Sequence, residues 1–218
     1  MTDEPVPADA AAERRVPLLN AANVLTMVRL VLVPVFAVFA VTSGMTLPAW
    51  EVAACVTFGV ASATDYVDGW VARSYDLVTS FGKVADPIAD KALTGTALVL
   101  LSGYGRLPWW ATTVILTREI GVTALRFWVL RYGVIPASRG GKLKTALQTL
   151  GIAWYLWPFP PRLAGVGPYL MAIVIGVTVL TGVDYVVRAL RLRRLALAQA
   201  ISPAVVVREV PEASEPAP

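Results

Sequence analysis

Four carboxylates, Asp65, Asp68, Asp86 and Asp90, fall close together in a chain that is 56% hydrophobic and only 16% charged. Asp65 and Asp68 are three apart, and Asp86 and Asp90 are four apart. Either spacing puts both members of a pair on one face of a helix. Between the pairs lie Gly69, Ala72, Arg73 and Gly82, in a stretch able to turn the chain back. Two helices side by side would then aim four negative charges into one cavity. Left uncompensated near a bilayer, such a cluster is prohibitively unfavourable. Divalent cations are the natural compensation, and all-oxygen donors favour Mg²⁺ or Mn²⁺ over Zn²⁺. The competing structural reading is a polar hairpin whose acids pair with Arg73, Lys83 and Lys91.

The elements that must position these acids are read from composition and hydropathy. The chain has 218 residues, no histidine and one cysteine. The absence of histidine excludes histidine triads, bases and metal ligands. Cys55 lies in an apolar run and reads as a packing residue. The net charge of +4 is modest, and nothing else supports a nucleic-acid role. The expected fold is an all-α integral membrane protein with six transmembrane helices, at about 24–43, 48–72, 84–103, 107–132, 143–158 and 165–190. A span needs about 20 apolar residues, so the fifth, closed by Pro158, Pro160 and Pro161, is marginal. Residues 1–17 read as a flexible N-terminal segment, 18–195 as one membrane domain and 196–218 as a disordered tail. No cleavable signal peptide is expected.

Basic residues set the orientation. One set of connections carries only Arg106 and Arg162. The other side collects Arg14, Arg15, Arg73, Lys83, Arg131, Arg139, Lys142, Lys144, Arg188, Arg191, Arg193 and Arg194. This asymmetry predicts a multi-pass cell-membrane protein with both termini and the aspartates on the cytoplasmic side.

Written out, the acidic stretch is D-x2-D-G-x2-A-R-x8-G-x3-D-x3-D, from Asp65 to Asp90 with no departure. It resembles the signature of the CDP-alcohol phosphatidyltransferases, which join an alcohol to a lipid or sugar phosphate held as its CDP ester. The resemblance implies that Asp65, Asp68 and Asp86 are metal ligands, two ions being expected. It makes Asp90 the general base toward the acceptor hydroxyl, with metal contact as well. By the same resemblance Gly69 leaves room for the cytidine, Ala72 packs at that pocket and Arg73 contacts the diphosphate.

Three further stretches narrow the expectation. Asn23, Thr26 and Arg29 share one helical face and look like the N-x2-T-x2-R opening of bacterial members, although Asn23 could equally serve as a helix cap. Arg118 and Glu119 lie within the fourth span, with Arg126 on nearly the same face; charges there are costly and are either functional or paired. REIGVTALR and GKLKTALQ are similar to segments of bacterial phosphatidylglycerophosphate synthases, over about residues 20–190. Arg118, Arg126, Lys142 and Lys144 suit an acceptor that carries a phosphate. The expected reaction therefore joins CDP-diacylglycerol and glycerol 3-phosphate, within membrane lipid and in an assembly that allows a homodimer. An inositol phosphate acceptor, or phosphatidylglycerol, is the alternative inside the family. An ion-coupled transporter and an aspartate-rich prenyltransferase are the alternatives outside it.

Overall fold

Each stretch expected to span is built on a helix in the computed structural model, which describes residues 21–74, 80–129 and 139–201. The helices are α1 (Ala21–Ser43), α2 (Pro48–Ser74), α3 (Ser80–Gly103), α4 (Trp109–Val129), α5 (Arg139–Leu156), α6 (Pro161–Ala164) and α7 (Gly167–Ile201). No strand occurs among the described residues, so the fold is all-α. Two stretches are long and apolar enough to cross a bilayer on length and composition, Asn23–Ser43 and Pro161–Ala196. α2 and α3 carry the aspartates, α4 carries Arg118 and Glu119, and α5 begins with Arg139, Lys142 and Lys144. These polar residues dilute the apolar runs that a span needs. The expected segment 1–17, and the part of the expected tail 196–218 beyond residue 201, lie outside the described residues.

The chain divides into two units. The first comprises residues 1–109 with 149–167, the second residues 110–148 with 168–218. In the first, α1 packs along α2 and α3. Ala40, Ala54, Ala61, Ala89 and Ala97 are buried there, and such small side chains let helices approach closely. Phe36 and Phe58 fill the space between α1 and α2, with ring centroids 5.8 Å apart. The α1–α2 turn uses positive φ at Gly44 (51°) and Met45 (54°). Arg106 holds it by donating to the Met45 carbonyl and to both carboxylate oxygens of the buried Glu51, each at 3.2 Å.

In the second unit, Ile115 and Val129 of α4 and Met171 and Val174 of α7 are buried. Gly182 of α7 is a close-approach position, where a Cβ would come within 3.1 Å of the Arg118 Cγ.

Two boundaries differ from expectation. α5 stops at Leu156, and the prolines then shape a separate turn, in which Leu163 and Ala164 donate to the Pro160 carbonyl. Pro161 fits its first position because no backbone donor is needed there. α7 runs on to Ile201, past the expected end of the membrane domain at 195. The residues that extend it (LALAQAI) contain neither glycine nor proline, and leucine, alanine and glutamine are good helix formers.

Candidate active site

The first unit builds its polar centre from α1. Asn23, Thr26 and Arg29 recur every three residues along α1, so one helical face carries all three. They are 3%, 1% and 0% exposed on a helix that is otherwise almost wholly apolar. Asn23 sits inside α1 rather than at its cap, because the helix already begins at Ala21. Arg29 Nη1 lies 2.8 Å from the Asp65 carboxylate, while Nε donates to the Ala61 carbonyl at 3.3 Å. The guanidinium thus grips a backbone acceptor and the carboxylate one turn beyond it on α2. Thr26 Oγ1 donates to Asp86 Oδ1 at 2.6 Å, a short bond of the charge-assisted kind. One face of α1 therefore fixes one acid on α2 and one on α3.

Asp65 and Asp86 lie within range of each other's charge, and Asp90 follows Asp86 by one turn of α3. Pro87, between them, withdraws one backbone donor from the helix ladder at that turn. All three acids are partly exposed, so they remain open to an incoming cation. Their donor chemistry is all-oxygen and anionic, which fits Mg²⁺ or Mn²⁺. Among the described residues, no group of three or more acids, histidines or cysteines is arranged to hold a metal by itself. The side chains of Asp68, Gly69, Ala72 and Arg73 lie outside the described residues.

The second unit carries a buried ion cluster. The Lys144 ammonium contacts Glu119 Oε1, and Arg118 Nη1 lies 3.5 Å from the same oxygen. Arg118 Nη2 donates to Thr181 Oγ1 at 3.1 Å, and that hydroxyl donates to the Val177 carbonyl at 2.7 Å. Two cations share one carboxylate, and Arg118 Nε is buried without a partner among the described residues. The cluster thus carries an excess positive charge in a poorly hydrated place, and it suits an additional anion. Arg126 and Lys142 are exposed instead. The Arg126 guanidinium stands 6.0 Å from the Tyr185 ring centroid.

The structure therefore brings Arg118 and Lys144 together, but through Glu119. Sequence reasoning missed that shared counterion, and it missed Thr181 and Gly182 entirely. It grouped Asn23, Thr26 and Arg29 on one face without seeing that Thr26 and Arg29 hold Asp86 and Asp65. The available signal was the polar face itself: on an apolar helix, such a face must find polar partners.

Comparison with known proteins identifies the family. A Mycobacterium tuberculosis (strain H37Rv) protein described as a probable phosphatidylglycerophosphate synthase is 51% identical over 177 residues, 81% of this chain and 85% of its own length. CDP-diacylglycerol–glycerol-3-phosphate 3-phosphatidyltransferases of Bacillus subtilis (strain 168) and Escherichia coli (strain K12) are 36% and 37% identical over 146 residues. The matches cover 62% and 63% of this chain and 76% and 77% of theirs. Residues 19–183 match the family described as CDP-alcohol phosphatidyltransferase, a stretch that contains both the α1 face and the aspartates it holds. This chain belongs to the CDP-alcohol phosphatidyltransferase family.

Proposed function

We propose that this protein transfers the phosphatidyl group of CDP-diacylglycerol to sn-glycerol 3-phosphate, giving phosphatidylglycerophosphate and CMP. The observation that carries the reading is the convergence of Asp65 and Asp86, held by Arg29 and Thr26, inside the family's acidic motif. The acceptor follows from the 51% identity to the Mycobacterium tuberculosis protein and from the phosphate-seeking excess charge around Arg118.

In this reading Asp65, Asp68 and Asp86 hold two Mg²⁺ or Mn²⁺ ions, with Asp90 as a further ligand. Bound there, the ions would supply neutralisation of the diphosphate and so favour departure of CMP. Gly69 leaves room for the cytidine, Ala72 packs at that pocket, and Arg73 binds the diphosphate. Asp90 takes the proton of the acceptor hydroxyl. The freed oxygen bonds to the lipid-bearing phosphorus, and the bond from that phosphorus to the CMP oxygen breaks. Arg118 and Lys144, aided by Arg126 and Lys142, hold the acceptor's own phosphate, so that the reactive hydroxyl is oriented rather than free.

The same reading makes the protein a multi-pass cell-membrane enzyme with six spans, its site and both termini being cytoplasmic. Support comes from the one-sided distribution of arginine and lysine. Exposed aromatics near helix ends (Tyr104, Trp109, Trp110 and Tyr169) suit a membrane interface. A homodimer is compatible with it.

An acceptor panel tests the proposal. Purified protein receives CDP-diacylglycerol and Mg²⁺ with glycerol 3-phosphate, inositol phosphate, serine or phosphatidylglycerol, and CMP release is followed. Preferential turnover with glycerol 3-phosphate is expected. Preference for inositol phosphate or phosphatidylglycerol would reassign the acceptor, and absence of CMP release with every acceptor would overturn the reaction class.

A further inference from the structure

α7 is longer than a bilayer requires. It carries no charge from Gly167 to Val183, and its first acid, Asp184, is paired with Arg188 at 2.8 Å. At about 1.5 Å per residue, Gly167 to Val187 covers ~30 Å, the thickness of the hydrocarbon core. Arg188, Arg191 and Arg194 follow immediately, spread over ~9 Å of helix axis, which spans the headgroup layer of one leaflet. Their spacing places all three within an arc of about 120° on one side of α7. All three are exposed.

Arg193 points elsewhere, with its guanidinium 5.2 Å from the Trp128 ring centroid. Arg188 is shared with Asp184, but no acid follows Asp184 on the helix, which leaves Arg191 and Arg194 without a neighbouring carboxylate on α7. A stripe of guanidiniums at this depth lies where lipid phosphates are most concentrated. Each such residue adds measurable attraction to an anionic leaflet.

We propose that the Arg188–Arg191–Arg194 stripe of α7 is a binding surface for anionic phospholipid headgroups. It is separate from the residues assigned above to the transfer reaction. The complementarity is of charge and of depth. The guanidinium fork matches phosphate oxygens, and the arginine stems can lie along the glycerol region. The surface would surround the enzyme with anionic lipid.

The test uses the full-length protein in mixed micelles, with phosphatidylserine as the anionic probe and phosphatidylcholine as the neutral reference. Thermal unfolding is followed as the lipid fraction rises. Wild type should gain Tm with phosphatidylserine beyond its response to phosphatidylcholine. In R191Q/R194Q, the phosphatidylserine needed for half the effect should rise on the order of tenfold. R191K/R194K should keep most of the response, and all three proteins should release CMP equally in phosphatidylcholine. Should R191Q/R194Q unfold early even in phosphatidylcholine, the lipids retained by its folded fraction are counted by native mass spectrometry, with the same loss expected.

Identical phosphatidylserine responses in wild type and R191Q/R194Q would overturn the proposal. So would an equal Tm gain from inorganic phosphate, which would mark a site for soluble anions. Removal of residues 202–218 supplies the remaining arm. If truncation tightens phosphatidylserine binding severalfold, the chain's own acids Glu209, Glu212 and Glu215 are the occupant, and the lipid assignment fails.

Discussion

Replacing Thr26 with valine removes one hydroxyl and keeps the shape of the side chain. In the wild type that hydroxyl donates to Asp86 Oδ1 at 2.6 Å, and Thr26 is 1% exposed. Water therefore has little access with which to replace the donor. A hydrogen bond to a charged group contributes about 1.5–3 kcal/mol. Every ~1.4 kcal/mol is a factor of ten. If Asp86 holds metal as proposed, losing its partner should reduce metal affinity or kcat/KM by roughly tenfold to hundredfold. Overall stability should change little, because valine leaves no buried hydroxyl to satisfy. The assay is CMP release from CDP-diacylglycerol and glycerol 3-phosphate across a Mg²⁺ titration. Thr26→Val should need more Mg²⁺ or turn over more slowly at saturation, and Thr26→Ser should recover most of the loss. A Thr26→Val protein within twofold of wild type at every Mg²⁺ concentration would refute the idea that Thr26 tunes Asp86.

Substitutions at four other residues bear on the proposed reaction. Asp86→Asn and Asp68→Asn should each abolish CMP release while the protein stays folded and membrane-inserted; strong turnover at saturating Mg²⁺ in both would count against a two-ion centre. Asp90→Asn should keep CDP-diacylglycerol binding and lose about 10²–10⁴-fold in rate, the usual contribution of a general base; joint loss of metal and nucleotide binding would make it chiefly a ligand. Arg118→Ala should raise the glycerol 3-phosphate KM, with kcat/KM falling roughly tenfold to hundredfold and the CDP-diacylglycerol KM nearly unchanged. Arg118→Lys should rescue only in part, because an ammonium cannot reproduce the two-pronged contact. A folded Arg118→Ala protein with normal acceptor kinetics would place the phosphate elsewhere.

The helices were readable because apolar runs and their punctuation are local properties. Gly44 and Pro48 bracket the first turn, and Gly103 closes α3. α6 was not readable, since Pro160 and Pro161 signal a break equally well whether or not one helical turn follows. The aspartates announced themselves by type and spacing, but the residues that hold them did not. Thr26 and Asp86 are 60 positions apart, and only packing of α1 against α3 makes them neighbours. Glu119 shows the opposite difficulty. Its place beside Arg118 in sequence hid its contact with Lys144 on α5. A charged side chain has several candidate partners, and the tertiary fold selects among them.

The grip of α1 on its neighbours bears on how the chain enters a membrane. Of the described helices, α1 leaves the ribosome before the others, carrying Arg29 in a largely apolar helix. A lone arginine in a span costs about 2.5–3.5 kcal/mol at the helix centre, and less nearer an end. That charge is relieved when α2 arrives with Asp65 and the Ala61 carbonyl. The Asp65 carboxylate is relieved by the same event. α1 and α2 are therefore better regarded as one cooperative unit of assembly than as two independent helices. α3 then docks on a surface where Thr26 already waits for Asp86. In this order of assembly, Asp65 would meet a counter-charge and Asp86 a hydrogen-bond donor during biogenesis, before any cation is bound.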